Sequence, residues 1–155
     1  MLKPHLRPII GGMQSLLLLT LLLVGITVSA DESAGAPLSV ENGWVRLPPP
    51  ASRMTAGYLK LTNLGTDPVD VIGAASPRFD QVSLHETHLV DGVFRMRSVK
   101  TLTLEPGETR TLEPGGLHLM LMRPVSDLRQ GEKIEVLLKL DGADPVPVSL
   151  TVEKR

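Results

Sequence analysis

From about residue 39 onward, short alternating or β-branched runs are cut at close intervals by Gly, Pro, Asp and Asn. That punctuation predicts strands at 39–46, 55–62, 69–75, 81–90, 93–99, 109–112, 117–122, 134–140 and 146–152. The breaks between them are Pro48-Pro49-Pro50, Asn63-Leu64-Gly65, Asp91-Gly92, Pro106-Gly107, Pro114-Gly115-Gly116 and Asp141-Gly142. No stretch carries a clean 3.6 period with caps, and 126–130 is expected to make at most one short turn. Strands this short and numerous predict an all-β, single-domain, antiparallel Greek-key sandwich or barrel. Trp44 and Tyr58 sit in strand patterns and read as core aromatics.

The first thirty residues follow another pattern. Lys3, His5 and Arg7 precede an apolar run, clearest from Leu16 to Val28, which ends in Val28-Ser29-Ala30. This is the layout of a secretory signal peptide with cleavage after Ala30. The run falls short of the ~20 residues a membrane span needs, so no transmembrane anchor is expected after cleavage. The expected organisation is 1–30 signal and 31–155 domain, long enough for one core.

Loss of Lys3 and Arg7 leaves 14 Lys+Arg against 17 acids, a net charge of about −3. Nothing in that balance points to nucleic acid or an anionic membrane. The sequence contains no cysteine. Stability is therefore expected from packing rather than disulfides, and a cysteine-borne lipid is not expected.

One hairpin can be read in register. Asp91-Gly92 between alternating runs is a type I′ turn signal. It pairs Val90 with Val93, Leu89 with Phe94, Thr87 with Met96 and His85 with Ser98. Because side chains alternate, His85 and Met96 share a face as diagonal neighbours, and His88 takes the other face with Arg95 and Arg97. His118 and Met120, two apart, likewise point the same way, with Met122 next in line. Ten residues separate His85 from Met96, and twenty-one separate Met96 from His118.

Each of these four residues has an ordinary explanation alone. A strand histidine is usually a surface or hydrogen-bonded residue, and a strand methionine usually fills a core. The combination is different: chance recurrence of all three offsets is on the order of 5 × 10⁻⁵, so coincidence is the weaker account. Imidazole plus thioether without thiolate selects Cu(I) over oxygen-seeking cations. His85, Met96, His118 and Met120 are therefore the candidate ligands for one Cu(I) per chain. Met54 and Met122 are candidate reserve ligands or shields, but read first as apolar packing near that site.

The segments GWVRLPPP at 43–50, AGYLKLTNLG at 56–65, VSLHET at 82–87, DGVFRMRSV at 91–99 and LEPGGLHLMLM at 112–122 resemble the periplasmic copper chaperones of the PCu(A)C family. The resemblance spans nearly the whole chain after the leader, and the four-residue spacing equals the family's copper motif. Some members carry a further Met directly after the first His; here Glu86 stands there. The resemblance implies a cupredoxin-like β-sandwich, a Cu(I) site, and delivery of copper towards the binuclear copper site of cytochrome c oxidase. It also implies a copper-site oxidase subunit and a Sco-type thiol protein as partners, and a monomer working in the periplasm.

Other readings make different demands. A blue-copper electron carrier needs a Cys ligand, which is missing. No Ser-His-Asp signature, convincing carboxylate pair or phosphate loop suggests an enzyme. A copper resistance or storage protein would share the same ligands. A metal-free secreted sandwich acting as an interaction module would leave the His and Met positions energetically ordinary.

Overall fold

Residues 37–155 are described by a computed structural model, so the expected leader and its cleavage point lie outside the described residues. Ten strands follow one another: β1 (Leu38–Arg46), β2 (Met54–Asn63), β3 (Val69–Ser76), β4 (Phe79–Val90), β5 (Val93–Ser98), β6 (Leu102–Leu104), β7 (Thr109–Leu112), β8 (Leu117–Pro124), β9 (Lys133–Leu140) and β10 (Val146–Glu153). Nine of them coincide with the expected strands to within two residues at either end.

The additional strand, β6, has three residues, too few to display a period. Tertiary partners hold it instead. It pairs with β3, Val71 opposite Leu102 and Val69 opposite Leu104. The buried Asn63 amide also donates to the Leu104 carbonyl at 2.9 Å. The turn expected at 126–130 does not form as a helical turn. The chain bends at Val125 and Ser126 and runs irregularly to a turn at Gln130.

The strands form one hydrogen-bonded sheet in the order β5-β4-β8-β2-β1-β10-β9-β3-β6, with β7 beside β2. Further pairing of β3 with β4 joins the path back on itself, so the layers of the sandwich close into a barrel. Closure removes most free strand edges. The expected antiparallel pattern holds except between β1 and β10, which pair in parallel. Strand β2 is shared, its first half pairing with β8 and its second with β7.

The core follows from period-2 alternation. Ile134, Val136 and Leu138 from β9 and Val148, Leu150 and Val152 from β10 all point inward and are buried. In β1, Val40 and Val45 both face the core although an odd number of steps separates them. The register shift between Glu41 and Trp44 makes this work, with Asn42 at φ 53°. Such a bulge adds a residue and resets which face follows. It also turns Trp44 outward.

The consequence for the site lies in β8. Leu119 and Leu121 are 1% and 0% exposed and anchor the strand inward. His118, Met120 and Met122 alternate with them and are thereby fixed on the outer face.

Candidate metal centre

The β4–β5 hairpin has the register its turn chemistry predicts: Val90 opposite Val93, Thr87 opposite Met96, His85 opposite Ser98. Asp91 and Gly92 both take positive φ, 51° and 76°, as a type I′ turn requires. His85 and Met96 therefore share the outer face, one rung apart.

The pairing of β4 with β8 brings the two His/Met pairs together. His85 stands directly opposite His118, and Ser83 opposite Met120. The imidazole centroids are 6.1 Å apart, with ring planes 23° from parallel. Two imidazoles sharing one ion, each through a nitrogen at about 2 Å, need centroids about 5 to 6 Å apart. The observed pair sits just beyond the open end of that span.

His118 is 5% exposed and its Nδ1 lies 3.0 Å from the Gly116 carbonyl oxygen. A carbonyl only accepts, so Nδ1 carries the proton and Nε2 keeps its lone pair. A backbone acceptor of this kind orients a ligating imidazole and fixes its tautomer. His85 is half-buried, and its Nδ1 is 3.4 Å from the Ser83 hydroxyl.

Met96, His118 and Met120 line one open groove of about 280 Å³ with Met54, Tyr58 and Pro49. Among the described residues, no three His, Cys, Asp or Glu side chains gather where they could hold a metal. An ion bound at this face would therefore draw on thioether sulfur, which favours Cu(I).

Glu86, the residue in place of the optional Met, has no part in this face. It accepts from Arg97 at 3.0 Å and lies 2.8 Å from His88 Nε2, all on the other side of the hairpin. The Arg97 hydrogen bond holds its carboxyl below the usual value against the opposing effect of burial, with the His88 and Arg97 charges adding to the lowering. His88 and Arg97 accordingly lie beside Glu86, on the face away from the candidate ligands.

Two residues differ from their expected setting. Trp44 and Tyr58 are buried at 8% and 6%, yet stand outside the hydrophobic core cluster. They pack against each other on the outer face, centroids 4.4 Å apart and planes tilted by 34°, with the Arg46 guanidinium 5.9 Å over Tyr58 and that of Arg155 4.6 Å over Trp44. Tyr58 forms part of the groove wall. Its alternation with the inward Leu59 and Leu61 was the signal for its outward face.

A larger concavity lies elsewhere, about 760 Å³ beside Arg78, Ser126 and Glu132. Arg78 already bonds Glu132 at 2.9 Å and Ser126 at 2.8 Å, and no His or Met lines it.

Comparison with known proteins adds the lineage. The model of the LpqE-like family, described as "Putative lipoprotein LpqE-like", matches residues 38–152. The chain belongs to the LpqE-like family. A relative from Leifsonia xyli, "Putative lipoprotein Lxx21020", is 33% identical over 138 residues, covering 84% of this chain and 82% of its own length. Among solved structures, the solution structure of CuI-DR1885 from Deinococcus radiodurans matches with a TM-score of 0.62 and 33% identity, over 81% of this chain and 86% of that one. The copper-bound PCuAC domain from PmoF2 superposes with a TM-score of 0.64, over 77% of this chain and 95% of that one; at 23% identity it speaks for the fold alone. The PCu(A)C resemblance and the all-β fold read from the sequence are both borne out.

Proposed function

We propose that this protein is an extracytoplasmic Cu(I) carrier that holds one copper ion on His85, Met96, His118 and Met120 and gives it up by ligand exchange. One observation carries the reading: His85 and His118 are register partners on the outer face, and the Gly116 carbonyl leaves His118 Nε2 free to bind. The copper(I) in the similar CuI-DR1885 structure, at 33% identity, supports it. The leader-like start and the lipoprotein relative support a periplasmic place of work for residues 31–155.

The donor set suits a carrier. Two imidazoles supply affinity, while two neutral thioethers keep Cu(I) without the oxidation hazard of thiolates. Met96 is 52% exposed at the rim of an open groove, so an incoming thiolate or imidazole can replace it first. The remaining ligands leave in turn through a mixed-ligand complex. Copper stays monovalent throughout, and no side chain acts as acid or base. The receiver in this reading is the binuclear copper site of cytochrome c oxidase, with a Sco-type thiol protein as co-worker.

The test is a Cu(I) competition titration of the mature chain under reductant, beside the Met96→Ala/Met120→Ala double variant. One tight equivalent that weakens sharply in the variant is expected. Equal binding by both chains would sink the proposal. For the receiver, gene deletion should lower oxidase activity, and a strain with undiminished activity would point to storage or resistance.

A further inference from the structure

Two methionines outside the four-residue set lie on the same face. Met54 and Met122 stand directly opposite each other across β2 and β8. Met122 is two residues beyond Met120 on one strand, so His118, Met120 and Met122 leave the same face of β8 in turn. Met54 is 53% exposed and lines the groove together with Met96, His118 and Met120. Among the described residues, neither Met54 nor Met122 belongs to the hydrophobic core or packs against it. Core filling, the usual reason for a strand methionine, does not account for them.

We propose that Met54 and Met122, together with Met120, form a second, weaker Cu(I) station contiguous with the first. The proposal rests on the carrier reading above. Cross-strand partners place their Cβ atoms about 5 Å apart, and unbranched methionine side chains can converge two sulfurs on one ion across that gap. Three thioethers make a soft, neutral donor set suited to Cu(I). Without imidazole the station binds more weakly than the first and is insensitive to protons.

Passage between stations is a ligand exchange around Met120. Sulfur bonds from Met54 and Met122 form as the bonds to His85, His118 and Met96 break, with Met120 bound throughout. No electron or proton moves, and copper remains Cu(I). The station sets a direction of exit along β8, away from the β4–β5 hairpin and towards the start of β2.

The experiment is Cu(I) titration of the chain labelled with ¹³C in its methionine methyl groups, beside the Met54→Leu/Met122→Leu variant. Leucine keeps volume and apolarity, so the fold should persist. In the parent chain the first equivalent should shift Met96 and Met120; with Met120 held by that ion, a second equivalent rests on the Met54 and Met122 sulfurs alone and should shift those two together. In the variant the chelator-competed stoichiometry should fall from two to one, with first-equivalent affinity within about threefold. Shifts of Met96 and Met120 alone, with equal stoichiometry in both chains, overturn the second station and leave the carrier intact. Unmoved Met96 and Met120 signals overturn the carrier reading, and the handover station with it.

Discussion

His85 and His118 face each other across β4 and β8 as register partners, their ring centroids 6.1 Å apart. The two residues are far apart in sequence, and only the strand pairing makes them neighbours. Each belongs to a His/Met pair set by local alternation, so one cross-strand contact puts all four candidate residues on one face, with Met96, His118 and Met120 in a common groove. Replacing either histidine by alanine should lower Cu(I) affinity by at least about tenfold, equal to 1.4 kcal/mol. Protons compete with Cu(I) for the imidazole nitrogens, so affinity in the parent chain should also fall as pH is lowered. Chelator competition across pH 5 to 8 reads both effects, and flat binding would show that the imidazoles do not ligate.

The Asp91-Gly92 turn holds Met96 in register with Thr87. Gly92 has φ 76°, and a Cβ there would meet open space, so the cost of substitution is conformational rather than steric. Gly92→Val should destabilise the chain by about 1–2 kcal/mol, since β-branched residues resist the left-handed region. Loosening the hairpin should also weaken Cu(I) binding severalfold through Met96. Denaturant unfolding and chelator competition on the same sample would show both changes; intact affinity would mean Met96 contributes little.

Asn63 is fully buried and its amide is satisfied three ways. It donates to the Asp67 carbonyl at 2.8 Å and the Leu104 carbonyl at 2.9 Å, and it accepts from the Gly65 amide at 2.8 Å. Asn63→Asp would turn a carboxylate oxygen towards two carbonyl oxygens. A loss of about 3 kcal/mol in unfolding free energy is expected. Copper affinity of the folded variant should be unchanged, because β6 lies away from the outer face of β8.

Glu132 provides a pH test of stability remote from the copper face. Burial pushes its carboxyl up, but the Arg129 backbone amide, the Arg78 guanidinium and the Arg129 charge outweigh this and lower it below 4.5. A carboxyl lowered on folding stabilises the native state above its ordinary value and loses that contribution as pH falls through the lowered one. Arg78→Ala should therefore reduce the melting temperature at pH 7, and the gap to the parent chain should narrow below about pH 4.5. A gap that stays constant to pH 3 would remove the pair from the account of acid stability.

Much of this was legible in the chain. Alternation and Gly/Pro punctuation specify nine strands because the inward leucines and valines must recur every second residue. The Asp91-Gly92 dipeptide specifies a hairpin register because its dihedrals admit one turn. Those local rules also put His85 with Met96 and His118 with Met120, each pair on a common face. What they do not carry is long-range pairing. The β6 strand exists through β3 and Asn63, the parallel contact of β1 with β10 has no local signature, and the bulge at Asn42 sends Trp44 to the outer face against its apparent core role. The contact of β4 with β8, which sets His85 against His118, is decided the same way. Local periodicity determines which face a side chain takes, whereas the neighbour it meets depends on burying every strand's apolar face in one closed barrel.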